Sequence, residues 1–408
     1  MNKIDVLIGT AWGDEAKAKF IDYLAPKYDV IVRFQGGANA GHTIVYDGMK
    51  IVLHTLPTGV IHRHITNILA RNVLIDIDSI NTELDSIKNS ISDFDMNKLI
   101  VSRYCQLVLP THKALDNVTA SHVGTTNKGI GPTYADKHYR RGVNIKQYLA
   151  DKSSIDKLMA IHDPEYAQKY DIDTFKVNID KFLESVMICD EQNYIAYLLQ
   201  DGKRILVEGA QGSLLDIDDN GYPFVTSSNT NIGGVLSSLG VNHNMIGDVY
   251  GVSKAYSTRV GNGDFPTEIL DADLANFIQT QGNEFGSTTG RKRRVGWLDL
   301  PLLKRTIYRN GINKLIITKI DVLLGLEVMV GTHYYDLEYN ASDFAFDNYR
   351  SIEYNDFGIW EYIHKDGKLN EKVQNFLHYI EEQTGVPVIF LSTSPDRKDV
   401  LVLEKSNI

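Results

Sequence analysis

Residues Gly9 to Thr43 read GTAWGDEAKAKFIDYLAPKYDVIVRFQGGANAGHT, and this stretch decides the fold. The apolar run before it, Ile4–Gly9, predicts a strand. A polar loop follows, then a short helix that ends before Pro26, since proline disfavours helical backbone in the residue ahead of it. Val30–Phe34 predicts a second strand, which opens into another glycine-rich loop. Two loops at the ends of two neighbouring strands bring Asp14 and Lys17 close to Asn39 and His42. A carboxylate, an ammonium, an amide and an imidazole around glycine backbone suit a phosphorylated ligand handled by acid–base chemistry.

The first loop lacks the GxxxxGK[ST] frame of a standard phosphate-binding loop. Its context is similar all the same: strand, glycine loop, lysine, helix N-terminus. Backbone N–H groups there can hold phosphate oxygens, with Lys17 as a point charge. Asp14 has a plainer alternative as a helix cap or first-turn acid. The second loop, Gln35–Thr43, has three glycines and two alanines in nine residues. Few side chains are left to pack, so backbone can approach a ligand closely. Gln35, Asn39 and His42 then carry the chemistry. A lone histidine is more often structural, but this one sits among glycines.

Outward from this stretch, further strands are expected at 51–56, 98–101, 204–207, 249–255, 314–318 and 386–391. Helices are expected at 79–90, 112–122, 298–310 and 370–384. In the last, Val373, Phe376, Leu377 and Ile380 fall at helical spacing and Gly385 follows as a stop. Strands alternating with helices, several of them continuous apolar runs, predict an α/β fold with a mainly parallel sheet. The 408 residues read as a single domain, with an all-helical insertion at about 151–201.

Net charge is −10, which argues against general nucleic-acid binding. The two cysteines, Cys105 and Cys189, lack ligand or disulfide spacing, so a reducing compartment fits. No apolar run reaches the ~18 residues of a membrane span, and no signal peptide opens the chain. A soluble cytoplasmic protein with no membrane or nucleic-acid partner is expected.

Thr318–Asp321, TKID, follows a predicted strand and resembles the guanine-reading element of GTP-binding proteins. One carboxylate can accept from both N1–H and N2–H of guanine, a fit adenine cannot offer. The lysine stem can lie along the base. Ser287–Arg294, STTGRKRR, is a basic loop in an acidic chain and suits a clamp for carboxylates or phosphates. With 123–132 and 208–213, five small-residue loops predict a large site holding more than one ligand.

Taken together, these segments resemble the adenylosuccinate synthetase family. The resemblance is carried by GTAWGDE (Gly9–Glu15), GGANAGHT (Gly36–Thr43), GTT (Gly124–Thr126), EGAQG (Glu208–Gly212) and YPFVTSSNT (Tyr222–Thr230). KAYSTRVG (Lys254–Gly261), QGNEFG (Gln281–Gly286), TTGR (Thr288–Arg291), TKID and STSPDR (Ser392–Arg397) extend it across nearly the whole chain. It implies a large, mostly parallel central sheet flanked by helices, like that of P-loop NTPases, with helical insertions. The implied reaction converts IMP, L-aspartate and GTP to adenylosuccinate, GDP and phosphate, with Mg²⁺ held by Asp14 and the Gly41 carbonyl.

By the same resemblance Asp14 is the base and His42 the acid of a two-step substitution through a 6-phosphoryl intermediate. Asp14, Lys17, Asn39, Thr126, Arg140, Gln211, Thr226 and Arg291 would bind the purine nucleotide, with Arg140 reaching the partner's site in a homodimer. Ser287, Thr288, Thr289, Arg291 and Arg293 would bind aspartate. Gly13, Glu15, Ala16, Lys17, Gly41, His42, Thr43, Arg293, Lys319, Asp321, Ser392 and Ser394 would bind GTP.

The chain departs from the family pattern in places. GDEAKAK (Gly13–Lys19) stands where GDEGKGK is usual, Asn127–Lys128 where Gly–Arg is usual, and Ser394 replaces a glycine. Viral relatives aminate dGMP, and such a variant, with ATP as donor, is an alternative. A purine 2-amino group needs room near the Asp14 loop, so Asp14 and Ala16 favour IMP. An alternative of another class is a non-catalytic guanine-nucleotide switch, but a switch needs no second carboxylate clamp.

Overall fold

The computed structural model describes residues 3–46, 49–91, 94–119, 123–286, 290, 292–336, 341–342, 349 and 351–403. Eleven strands form the large sheet among these residues. In chain order they are β1 (Ile4–Gly9), β2 (Val30–Gly36), β3 (Thr66–Ile75), β4 (Leu99–Ser102), β5 (Gln106–Leu107) and β6 (Met187–Cys189). β7 (Ile205–Gly212), β8 (Ile246–Lys254), β9 (Lys314–Thr318), β10 (Val388–Ser392) and β11 (Val400–Val402) complete the set. Their order across the sheet is β11-β10-β9-β8-β1-β7-β2-β3-β4-β6, with β5 beside β3. Only β10 and β11 pair antiparallel. The mainly parallel, helix-flanked sheet is thus as expected.

The side chains explain the continuous apolar runs. Ile4, Val6 and Ile8 of β1 join one buried cluster, while Leu7 joins another on the opposite face. The same alternation holds for Val30, Val32 and Phe34 against Ile31, and for Leu315 and Ile317 against Ile316. Both faces are covered, so no polar alternation survives in the strands. The helix Glu371–Thr384 buries Val373, Phe376, Leu377 and Ile380 on one stripe. Asn370 caps its start by accepting from Lys372 N–H, and Gly385 ends it in the left-handed region at φ +67°.

Three expectations are corrected. β1 and β2 are not neighbours: β7 lies between them, with Ile205 in register with both Ile4 and Val30. The loop after β7 therefore separates the two opening loops and contributes to whatever they bind. The strand expected at 51–56 is instead Met49–Leu53, paired antiparallel with His42–Tyr46 in a hairpin off the large sheet. Region 151–201 is mostly helical, but Met187–Cys189 pairs with β4 and edges the sheet. The ten-residue β3 was not expected, because Arg71 and Asn72 interrupt its apolar run. Arg71 is matched by Glu191 at 2.7 Å, and the Asn72 carbonyl accepts from the Tyr134 hydroxyl at 2.6 Å.

A second sheet stands beyond the C-terminal end of β8. Tyr256–Arg259 pairs antiparallel with Arg294–Asp299, which runs parallel to Glu327–Tyr335, which pairs antiparallel with Ser351–Ile359. Val295, Trp297, Val328 and Val330 join the same buried cluster as Ile4 and Val6. This sheet carries Arg293 to the mouth of the β1 loop. No helix among the described residues is long and apolar enough to cross a membrane.

Candidate active site

The loop after β1 is held open by its own acid. Glu15 is buried, and its carboxylate accepts from Ala11 N–H (3.1 Å), Gly13 N–H (2.8 Å) and Lys17 Nζ (2.6 Å). These are the kinds of donor that grip a phosphate. The packing is close: a Cβ on Gly9 would lie 2.1 Å from Glu15 Oε2. The loop is tied to neighbouring strand ends through Thr10 N–H to the Val252 carbonyl (3.0 Å) and Thr318 Oγ1 to the Glu15 carbonyl (3.0 Å). Gly13, Asp14 and Ala16 all have positive φ, at +92°, +61° and +67°.

Asp14 is not a helix cap. The helix Lys17–Leu24 has Ala16 at its N-cap, with no side-chain cap and no acid in its first turn. The Asp14 carboxylate instead pairs with Arg293 Nη2 at 2.9 Å and is 31% exposed. A chain position that could cap a helix is used to meet a residue from the second sheet.

His42 opens the hairpin and is buried. Its Nδ1 lies 2.5 Å from Glu208 Oε1, on β7. Glu208 also accepts from Thr58 N–H and Thr58 Oγ1, each at 2.7 Å, and Arg33 sits beside it in register. Burial opposes the charge on Glu208, but His42, Arg33 and Thr58 hold its carboxyl below the usual range. Burial is also the main influence on His42 and lowers its pKa, helped by Arg33 and Lys17 against the pull of Glu208. Burial thus favours the neutral ring, in which Nδ1 donates to Glu208. Nε2 is left with a lone pair and no partner among the described residues.

Between these loops lie Asn39, Gln211 and Thr226. Asn39 Nδ2 donates to Thr226 Oγ1 at 3.4 Å, and its Oδ1 accepts from Gly37 N–H at 3.2 Å. Gln211 has φ +54°; its Oε1 accepts from Gln35 Nε2 at 3.2 Å, and its buried Nε2 has no partner among the described residues. On the other side of the β1 loop, Lys19 Nζ donates to Ser392 Oγ (2.7 Å) and to the Ser394 (2.6 Å) and Asp399 (3.0 Å) carbonyls. Burial lowers the Lys19 pKa to about 8, against the pull of Asp399 and Asp321. Asp321 is itself pushed up by burial. A single short helix thus joins the Asp14 loop to the loop beside Asp321.

The adenylosuccinate synthetase family model matches residues 6–401. The chain belongs to the adenylosuccinate synthetase family. An adenylosuccinate synthetase of Bacteroides fragilis is 40% identical over 420 residues, covering 98% of this chain and 99% of that protein. That of Christiangramia forsetii is 40% identical over 425 residues, with the same coverage. The structure of fully ligated adenylosuccinate synthetase from Plasmodium falciparum superposes with a TM-score of 0.90 at 31% identity, covering 99% of this chain and 100% of that one. A cyanophage S-2L succinoaminodeoxyadenylate synthetase bound to dGMP and dATP reaches a TM-score of 0.67 at 18% identity, covering 98% and 95%. That likeness extends to the fold alone.

Most residues expected from the resemblance lie around these loops. Gly13, Asp14, Glu15, Ala16 and Lys17 form the β1 loop. Gly41, His42 and Thr43 enter the hairpin, and Asn39, Gln211 and Thr226 cluster nearby. Lys319, Asp321, Ser392 and Ser394 close the far side. Thr126 is half-buried in the loop 124–129, and among the described residues no hydrogen bond links it to the others. Arg140 is exposed, at φ +64°, just past the helix Ile130–His138. Ser287, Thr288, Thr289 and Arg291 lie outside the described residues. The Lys319 ammonium donates to Glu284 (2.7 Å) and the Gly282 carbonyl (2.6 Å), contacts for which the sequence carries no signal.

Sequence reading assigned no role to Glu208, Thr58, Lys19, Lys254 or Glu284. GDEAKAK, EGAQG, KAYSTRVG and QGNEFG contain all of these residues except Thr58, but side chains that serve other side chains carry no local signature. His112, Asp136 and His162 also gather, with both Nε2 atoms on Asp136 Oδ2 at 2.9 and 2.6 Å. His112 Nδ1 accepts from Leu109 N–H at 2.9 Å, so its Nε2 bears the proton. Arg141 takes the other carboxylate oxygen at 2.7 Å. The group is a satisfied hydrogen-bond knot rather than a metal site.

Proposed function

We propose that this chain joins L-aspartate to C6 of IMP at the expense of GTP, giving adenylosuccinate, GDP and phosphate. The observation that carries the reading is Asp14, freed from helix capping and paired with Arg293 at 2.9 Å. That pair brings the β1 loop to the loop that bears the basic cluster.

In this reading Asp14 takes the N1 proton of the purine, so that O6 attacks the γ-phosphoryl group of GTP. The aspartate amine then displaces the phosphorylated oxygen at C6 and loses a proton. One substitution at an amide-like carbon becomes two easier steps. His42 offers Nε2 to the transferring phosphoryl group. A phosphate oxygen there is served only by a protonated ring, so ligand charge offsets the burial that keeps His42 neutral. Glu208 then stabilises the imidazolium at Nδ1. As O6 leaves with its phosphoryl group, protonated His42 donates to it.

Lys17 and the N–H groups now turned to Glu15 are suited to hold phosphate oxygens. Asn39, Gln211, Thr226, Thr126 and Arg291 hold the nucleotide, and Arg140 reaches into the site of a second copy in a homodimer. Ser287, Thr288, Thr289, Arg291 and Arg293 take the aspartate carboxylates. Asp321 reads guanine, flanked by Lys319, Ser392 and Ser394.

Mg²⁺ fits this donor set. The Asp14 carboxylate and the Gly41 carbonyl are hard oxygens of the kind that would hold the ion together with phosphate oxygens. Bound there, the ion would offset charge on the donor phosphates. The cytoplasm is the compartment that these substrates call for.

The test is direct. Purified protein with aspartate and Mg²⁺ is given IMP or dGMP, each with GTP or ATP, and products are separated by chromatography. Adenylosuccinate from IMP and GTP is expected. Product from dGMP only, or none with any pair, overturns the reading.

A further inference from the structure

Glu284 is fully buried, with 0% of its surface exposed, and it is the most heavily bonded carboxylate near the site. Its Oε1 accepts from the Tyr256 hydroxyl (2.6 Å), Lys319 Nζ (2.7 Å) and Lys254 Nζ (3.0 Å). Its Oε2 accepts from Arg293 Nη1 and, at 3.0 Å, from Lys254 Nζ. Three cations thus converge on one carboxylate from three separate parts of the chain. Burial opposes its charge, yet Lys254, Lys319 and Arg293 hold it well below the usual carboxylate range. Lys254, also buried, is lowered by desolvation to about 8, against the pull of Glu284.

The backbone of Glu284 is engaged as well. Its N–H donates to the Gln279 carbonyl at 2.8 Å, and its carbonyl accepts from Arg293 N–H at 3.0 Å. Gln279 Nε2 donates to the Arg293 carbonyl at 2.7 Å, and Phe285 bridges Lys292. These bonds make Glu284 and Arg293 the two sides of a neck. Arg293 is divided at this neck: Nη1 goes to Glu284 and Nη2 goes to Asp14. Lys319, at φ +56°, directs its ammonium to the same carboxylate. Its methylene stem is left to pack against a base held by Asp321.

We propose that Glu284 is a positioning residue that fastens the base-reading element at Lys319 to the arginine loop at Arg293, so that donor nucleotide and aspartate are recognised together. The inference rests on the proposed function for the names of those ligands. Arg293 keeps one fixed anchor, so Nη2 can leave Asp14 for a substrate carboxylate without the guanidinium moving away. A buried carboxylate facing several cations cannot be neutralised without leaving them uncompensated, so the arrangement depends on the charge of Glu284.

The experiment compares wild type with Glu284→Gln, which keeps shape and removes charge. Steady-state kinetics are measured with IMP, aspartate and GTP, and trypsin cleavage at Lys292 is followed by mass spectrometry. Glu284→Gln is expected to raise KM for GTP and for aspartate about tenfold or more each, with KM for IMP within about threefold. Cleavage at Lys292 should speed up about tenfold as the neck loosens. An equal change in all three KM values, or none, with unchanged cleavage overturns the inference. If Glu284→Gln fails to fold, Tyr256→Phe removes one hydrogen bond to the same carboxylate, and a smaller split in the same direction is expected. A uniform effect of Tyr256→Phe overturns the inference. A wild type inert with these substrates sinks the proposed function instead. Cleavage then decides for Glu284: acceleration in the variant supports the clamp, and an unchanged rate overturns it.

Discussion

In the proposed reaction Asp14 and His42 are the two acid–base groups, and they are fastened in opposite ways. Asp14 lies on a left-handed turn, is 31% exposed, and has as its partner an arginine from a different sheet. His42 is buried at a strand end, and its partner Glu208 belongs to the large sheet itself. Glu208 is locked in turn by Thr58 and neighbours Arg33. One group is held by a contact that a ligand can replace. The other is aimed by contacts that no ligand reaches. The difference suits their chemistry: a base that must meet a substrate proton needs access, whereas an acid that serves a phosphoryl group needs direction.

The largest effect should come from the open group. Asp14→Asn keeps the shape and a hydrogen-bond acceptor for Arg293 but removes the base. Turnover should fall by about 10³-fold or more, with calorimetric IMP binding largely intact. Substantial residual turnover would rule out Asp14 as the base. A large loss of IMP binding would show that the Asp14–Arg293 contact builds the site rather than waiting in it.

On the closed side, Glu208→Gln should lower kcat by about 10²-fold with little change in any KM. Glutamine can orient the ring but cannot stabilise its charged form, so the limb of the kcat–pH profile that reports protonated His42 should move to lower pH. A change confined to KM, or no shift of that limb, would break the contrast between an aimed group and an exchangeable one.

How much of this was legible beforehand follows from the same contrast. The β1 loop, its lysine and the glycine-rich hairpin entry are local patterns, and the sequence displays them directly. The strand core was readable because both faces of β1, β2 and β9 are covered, which leaves unbroken apolar runs. The partners were not readable. Arg293 reaches Asp14, and Lys19 reaches Ser392, only after the sheet order brings distant segments together. The insertion of β7 between β1 and β2 depends on long-range pairing, which no period in the chain encodes. Glu284 gathers Lys254, Tyr256, Arg293 and Lys319 only once the second sheet stands over the ends of β8 and β9. The strand Ser351–Ile359, half-buried along most of its length, lacks the apolar run that marks the others.

A pH titration of stability tests the buried group alone, with a smaller effect. Burial depresses the pKa of native His42 below its ordinary value of 6.5. Below that value the unfolded chain binds a proton that the native chain refuses. The stabilising contribution is therefore present above pH 6.5 and is lost as pH falls towards the native value. His112, also depressed mainly by burial, acts in the same sense. The melting temperature should fall between about pH 7 and pH 5, and His42→Asn should flatten part of that slope. An unchanged slope in the variant would mean that native His42 takes up its proton as readily as the unfolded chain does.

The smallest effect tests the loop that carries Asp14. Ala16 sits at φ +67°, where an L residue other than glycine costs roughly 1–2 kcal/mol. Ala16→Gly removes that strain and returns part of the gain through a freer unfolded chain. A net stabilisation of about 0.5–1 kcal/mol is expected in chemical denaturation. Two residues on, Ala18 is buried in the helix Lys17–Leu24, where φ is negative and alanine is the favoured residue. Ala18→Gly should destabilise by about 1 kcal/mol, with a further loss from its missing methyl contact. The same chemical change should therefore have opposite signs at two positions separated only by Lys17. Equal signs would mean that the left-handed turn at Ala16 is not the resting state of the loop, and that the exposed, exchangeable setting of Asp14 is not its resting state either.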